Sequence, residues 1–92
     1  MIQRLLTALL VSALLAVGAG PISDDVLFDQ VRIRIAQDRE IGADKITVKV
    51  EGGVVELTGS VQQERHREKA EKVAKKVKGV KSVQNKLRVS PV

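Results

Sequence analysis

The sequence predicts an α+β fold, an αββαβ two-layer sandwich with two helices packed on one face of a three-stranded mixed sheet. Two observations carry this. Segments 24–37 and 63–78 repeat apolar side chains every three or four positions, the period of a helix with one buried stripe. Segments 46–50, 55–58 and 83–89 alternate apolar and polar residues, the period of a strand with one buried face. Elements that each have one apolar face are satisfied by two layers, sheet on one side and helices on the other. A last strand that runs parallel to the second, reached through the second helix, makes the sheet mixed.

The chain ahead of these elements reads as a secretory signal. Arg4 supplies a positive amino end, Leu5 to Val17 is a 13-residue run without charge, and Gly18-Ala19-Gly20-Pro21 follows with small side chains. The run is shorter than the ~20 apolar residues of a membrane-spanning helix. Cleavage after about Ala19 is therefore expected, leaving one domain over residues 20–92; a retained anchor and a buried amino-terminal helix are the alternatives. No cysteine is present to carry a lipid.

Ser23 then stands as an N-cap, with Asp24 and Asp25 in the first turn, where the helix dipole favours acids. The first helix should run from Asp24 to Gln37, burying Leu27, Val31 and Ile35 with Phe28 beside them. Val26 and Ile33, seven residues apart, fall near the opposite side at 100° per residue and should be exposed. A polar connector, Asp38 to Asp44, leads to a β-hairpin. Its strands are Ile46-Thr47-Val48-Lys49-Val50 and Val55-Glu56-Leu57-Thr58, with Gly52-Gly53 permitting positive φ in the turn. Gly59 marks either a strand end or a close backbone approach.

The second helix should run from about Gln63 to Lys78 and stop at Gly79. Ala70, Val73, Ala74 and Val77 form its apolar stripe, with His66 one turn earlier on the same face. The final strand, Val83 to Val89, turns Val83, Asn85, Leu87 and Val89 to one side.

Composition narrows the function. The chain has 92 residues, one aromatic (Phe28), one histidine and no cysteine. Packing must come from aliphatic side chains, and neither a disulfide, a metal cluster nor a cofactor is expected. Charge is uneven: residues 20–58 hold five basic and eight acidic residues, whereas residues 59–92 hold ten basic and three acidic. The basic second half points to an anionic partner. For an exported chain the candidates are phospholipid head groups, envelope polymers and acidic protein faces. Nucleic acid is not expected, since stacking aromatics are missing.

The pattern of residues resembles a known family. The chain carries Asp24-x-x-Leu27-x-x-x-Val31-x-x-x-Ile35, then Ile46-x-Val48 and Gly53-x-Val55-x-Leu57-x-Gly59-x-Val61. It closes with Ala70-x-x-x-Ala74-x-x-Val77-x-Gly79-Val80-x-x-Val83-x-Asn85-x-Leu87-x-Val89. Over residues 24–89 this is similar to the BON domain (bacterial OsmY and nodulation), here as a single-domain exported member. The resemblance implies an αββαβ fold, a periplasmic or envelope setting, and a non-enzymatic role in binding membrane phospholipids or stabilising the envelope under osmotic stress. It assigns no residue-level site, because the shared positions are core and turn residues.

The site must come from the chain itself. An enzyme is not expected: His66 has no cysteine, second histidine or placed carboxylate to make a nucleophile–base or metal pair, and packing is its ordinary role. Asp24, Asp25 and Asp29 read as helix-terminus acids rather than a metal site. On the second helix, with Val73 at 0°, Arg65, Lys69, Lys72 and Lys76 project between about −40° and −100°. Glu64, Glu68 and Glu71 project toward the face opposite the core. These four cations form the candidate lipid- or anion-binding stripe, and Val26 and Ile33 are a possible apolar contact. Two other readings stand beside it. The helix is a soluble surface laced by i,i+4 pairs Glu68–Lys72 and Glu71–Lys75. Or the domain is a protein-interaction module, a homodimer or accessory subunit, using Val26 and Ile33 or the edge of the last strand.

Overall fold

A computed structural model describes residues 21–42 and 45–91. The expected signal and its cleavage point lie outside the described residues. The first helix, α1, spans Asp24–Gln37, the range that its cap and periodicity predict. Ser23 Oγ accepts a hydrogen bond from the Val26 N–H at 3.3 Å, supplying one of the partners that the first turn of a helix lacks. Leu27, Val31 and Ile35 are buried on its inner face.

β1 (Ile46–Glu51) and β2 (Val54–Val61) form an antiparallel hairpin with Val48 opposite Leu57 and Val50 opposite Val55. The second helix, α2, spans Glu64–Lys75, a turn shorter than its periodicity suggests. The chain tightens there: the Lys76 and Val77 N–H groups reach back to Lys72 and Ala74 carbonyls, and Val77 turns into the core. Gly79, at φ +100°, reverses the chain against Ile22 and Leu27.

The last strand is divided. β3 (Ser82–Asn85) and β4 (Arg88–Val89) both run parallel to β2, giving a mixed sheet with β2 in the centre. Val55 pairs with Val83, and Val61 with Val89, in one unchanged register, so no residue is inserted at the break. That register sets Leu87 opposite Gly59, whose φ of +112° departs from strand geometry. Gly59 thus lies inside β2 and not at its end. A side chain there would collide with the Lys45 carbonyl oxygen, so the close-approach reading holds.

Asn85 occupies the gap. Its Nδ2 donates to the Arg67 carbonyl at 2.8 Å, and its Oδ1 accepts from the Leu87 N–H at 3.2 Å. Arg67 Nε in turn donates to the Leu87 carbonyl at 3.1 Å. The backbone groups freed at the break are therefore satisfied, as buried polar groups must be, and α2 is bound to the sheet by the same contacts.

Both helices pack on one face. α1 lies over β1 and beside α2, and α2 lies over β2, β3 and β4. Ala70 and Ala74, fully buried, keep α2 close to its neighbours. The connector contributes one unexpected core residue, Ile41, only 2% exposed. Burying such a side chain contributes roughly 1.5–3 kcal/mol. The α+β sandwich with both helices on one sheet face is the architecture the sequence predicts.

Candidate functional site

The candidate surface is the flank of α2 that carries Arg65, Lys69, Lys72 and Lys76. Arg65 and Lys72 stand exposed along the helix, and Lys76 is exposed at its C-cap. The inner face buries His66, Ala70 and Ala74. A basic residue at every third or fourth position therefore emerges on one side while its neighbours fill the core.

Lys69 differs from the other three. Its Nζ lies 3.0 Å from Asp38 Oδ2 and 3.7 Å from Glu40 Oε2, both on the connector that follows α1. Asp38 Oδ1 also accepts from the Glu40 N–H at 3.0 Å. The hydrogen-bonded Lys69 ammonium holds the Asp38 carboxyl below its ordinary range against the opposing pull of burial. Asp38 raises the Lys69 pKa by the same hydrogen bond. The flank, free of acids along its own helix, receives two from a neighbouring segment, so the stripe offers three exposed cations and one engaged in holding the connector.

Arg65, Lys72 and Lys76 have no acid within ion-pair distance among the described residues. Of the expected i,i+4 pairs on this helix, Glu71–Lys75 forms at 3.4 Å and Glu68–Lys72 does not. Arg67 is held by Glu64 at 2.9 Å. Lys86 lies 2.7 Å from Glu56 on the outer sheet face, and its ammonium holds that carboxyl below the usual range, with Lys49 adding a smaller effect.

Val26 and Ile33 are each 48% exposed on the outer side of α1, as their spacing predicts. His66 is 7% exposed, and its Nδ1 has no hydrogen-bond partner. It lies on the inner face of α2 with Ala70 and Ala74. Among the described residues no three His, Cys, Asp or Glu side chains converge on a metal position. No described helix is long and apolar enough to cross a membrane.

Asp24 does more than its position in the first turn suggested. Its two carboxylate oxygens accept from the Gly52 N–H at 2.8 Å and the Gly53 N–H at 3.0 Å, tying the start of α1 to the hairpin turn.

The family model for the BON domain matches residues 23–91. The chain belongs to the BON domain family. Among curated proteins it is similar to the Osmotically-inducible protein Y of Escherichia coli (strain K12), 32% identical over 69 residues that make up 75% of this chain. The matched part is 34% of that protein, so this BON chain spans about a third of its relative's length. The Gly59 approach, the Gly79 reversal and the Asn85 bridge all fall within the matched BON region.

Proposed function

We propose that this BON protein is an exported, non-enzymatic envelope module that attaches peripherally to anionic phospholipid surfaces in the periplasm and serves envelope maintenance or the osmotic-stress response. The osmotic and envelope part rests on membership of the BON family and on the name of the osmotically inducible relative. The lipid-binding part rests on one observation. Arg65, Lys72 and Lys76 stand exposed on one flank of α2 with no acid within ion-pair distance among the described residues. Each such cation near an anionic leaflet contributes about 1 kcal/mol, so three contribute about 3 kcal/mol, roughly a hundredfold in partitioning. That is enough for reversible attachment without insertion. A lone, buried histidine agrees with a role in binding rather than catalysis.

The test is co-sedimentation with vesicles of phosphatidylcholine, with and without phosphatidylglycerol. The triple variant Arg65→Gln, Lys72→Gln, Lys76→Gln removes the exposed charges and leaves the Lys69–Asp38 contact intact. It should lose most of its binding to the anionic vesicles at low salt, and the wild type should lose much of its own as the Debye length falls from ~30 Å toward ~8 Å. Equal binding by variant and wild type would reduce the stripe to a solvated surface.

A further inference from the structure

We propose that the groove between α1 and the free edge of β1 is a self-association surface, filled by the same surface of a second copy of this chain across a two-fold axis. The groove encloses about 560 Å³ between Asp29, Arg32, Ile33 and Ala36 of α1 and Ile46 and Val48 of β1. Aliphatic side chains of Ile33, Ala36, Ile46 and Val48 line it beside the charged Asp29 and Arg32, and Ile33, at 48% exposed, stands at its mouth. Val26 is exposed to the same degree on the outer side of the helix.

The two sheet edges are built differently. The β3/β4 edge is short, broken at Lys86 and Leu87, and carries Lys86 and Arg88, all features that discourage pairing. The β1 edge runs unbroken from Ile46 to Glu51 and, among the described residues, pairs only with β2. Its outward N–H and C=O groups form a template for another strand.

Charge selects the occupant. The cationic excess of the chain lies in residues 59–92, with ten basic and three acidic residues, and two copies brought together through that half would repel, whereas α1 and β1 belong to residues 20–58, which hold five basic and eight acidic residues. The groove is locally balanced, with one acid, Asp29, and one base, Arg32, a turn apart on α1 and without ion-pair partners among the described residues. Arg32 is set in place over the Phe28 ring, 5.4 Å from its centroid. A two-fold axis through the groove runs the two copies of α1 antiparallel, which sets Arg32 of each copy against Asp29 of the other. Such self-complementarity is what an isologous interface requires. Pairing β1 with β1 then extends one sheet through both copies. α2 lies over β2, β3 and β4, away from this edge, and remains outside the contact.

Sedimentation equilibrium of the protein purified from cells expressing the full chain, over a rising concentration series, tests the proposal. The wild type should show a monomer–dimer equilibrium, and Ile33→Glu, at an exposed position, should be monomeric with an unchanged circular dichroism spectrum. Asp29→Arg or Arg32→Asp alone sets like charges across the axis and should weaken the dimer by about tenfold or more. The double variant Asp29→Arg, Arg32→Asp should restore it, an outcome that a merely destabilised monomer does not give. A wild type that stays monomeric throughout overturns the proposal and leaves the groove for an extended segment of another protein. A dimer indifferent to Ile33→Glu and to both single reversals also overturns it, because the contact then lies elsewhere.

Discussion

Lys69 lies 3.0 Å from Asp38, and this pair joins the cationic flank of α2 to the connector that carries the buried Ile41. The Asp38 side chain is only 16% exposed, against 42% for Lys69. Asp38→Asn should therefore melt a few degrees below the wild type near neutral pH. Asp38 is depressed below its ordinary 3.8, so its contribution is present above that value and is lost as pH falls through the lower folded value. Lys69 is raised above its ordinary 10.5, so its contribution is present below that value and is lost as pH rises through the higher one. Across about pH 3 to pH 11 the difference in melting temperature between variant and wild type should be level in the middle, between about pH 5 and pH 9, and narrow at both ends, as pH falls below the ordinary 3.8 of Asp38 and as it rises above the ordinary 10.5 of Lys69. Thermal melts of both proteins across that range check it.

Asn85 should be intolerant of both shortening and charge. Asn85→Ala leaves the Arg67 carbonyl and the Leu87 N–H unpaired at a half-buried position, a loss of about 1–3 kcal/mol. Asn85→Asp keeps the acceptor for Leu87 but presents a second oxygen to the Arg67 carbonyl. That variant should be more stable at acid pH than at neutral pH, because only the protonated carboxyl can donate there. Urea titrations at two pH values distinguish the two substitutions.

Gly59→Ala should destabilise by about 2 kcal/mol or more. Positive φ strains any L side chain by about 1–3 kcal/mol, and the added Cβ meets the Lys45 carbonyl, which belongs to backbone and cannot rotate away. Gly52→Ala is the comparison, since a Cβ at that position meets nothing within 4 Å despite its φ of +58°. Equal melting temperatures for the two variants would show that the contact with Lys45 is unimportant.

How much of this was legible in the sequence depended on the distance over which each signal acts. The range of α1 was readable because Ser23, the two acids after it and the Leu27–Val31–Ile35 spacing are all local. The hairpin was readable for the same reason, through its alternation and paired glycines. The division of the last strand was not, because Asn85 falls on the inward position of an unbroken alternation and its partner Arg67 lies 18 residues away. Ile41 was hidden as a single apolar residue in a polar connector. On the candidate site, the wheel of α2 sets Arg65, Lys69, Lys72 and Lys76 along one flank of the helix. It could not show that Asp38 and Glu40 engage one of them, since charges brought by another segment leave no trace in a helix's own periodicity.

The Asp24 carboxylate has a consequence for how motions of α1 can be observed. Turn amides such as that of exposed Gly52 ordinarily exchange their protons with solvent quickly, yet here Gly52 and Gly53 both donate to a side chain 28 and 29 residues earlier. Unseating the start of α1 should be enough to release both amides to solvent, with the hairpin still closed. These two glycines are therefore built-in reporters of the docking of the first helix, placed on a different element from the one whose detachment they record.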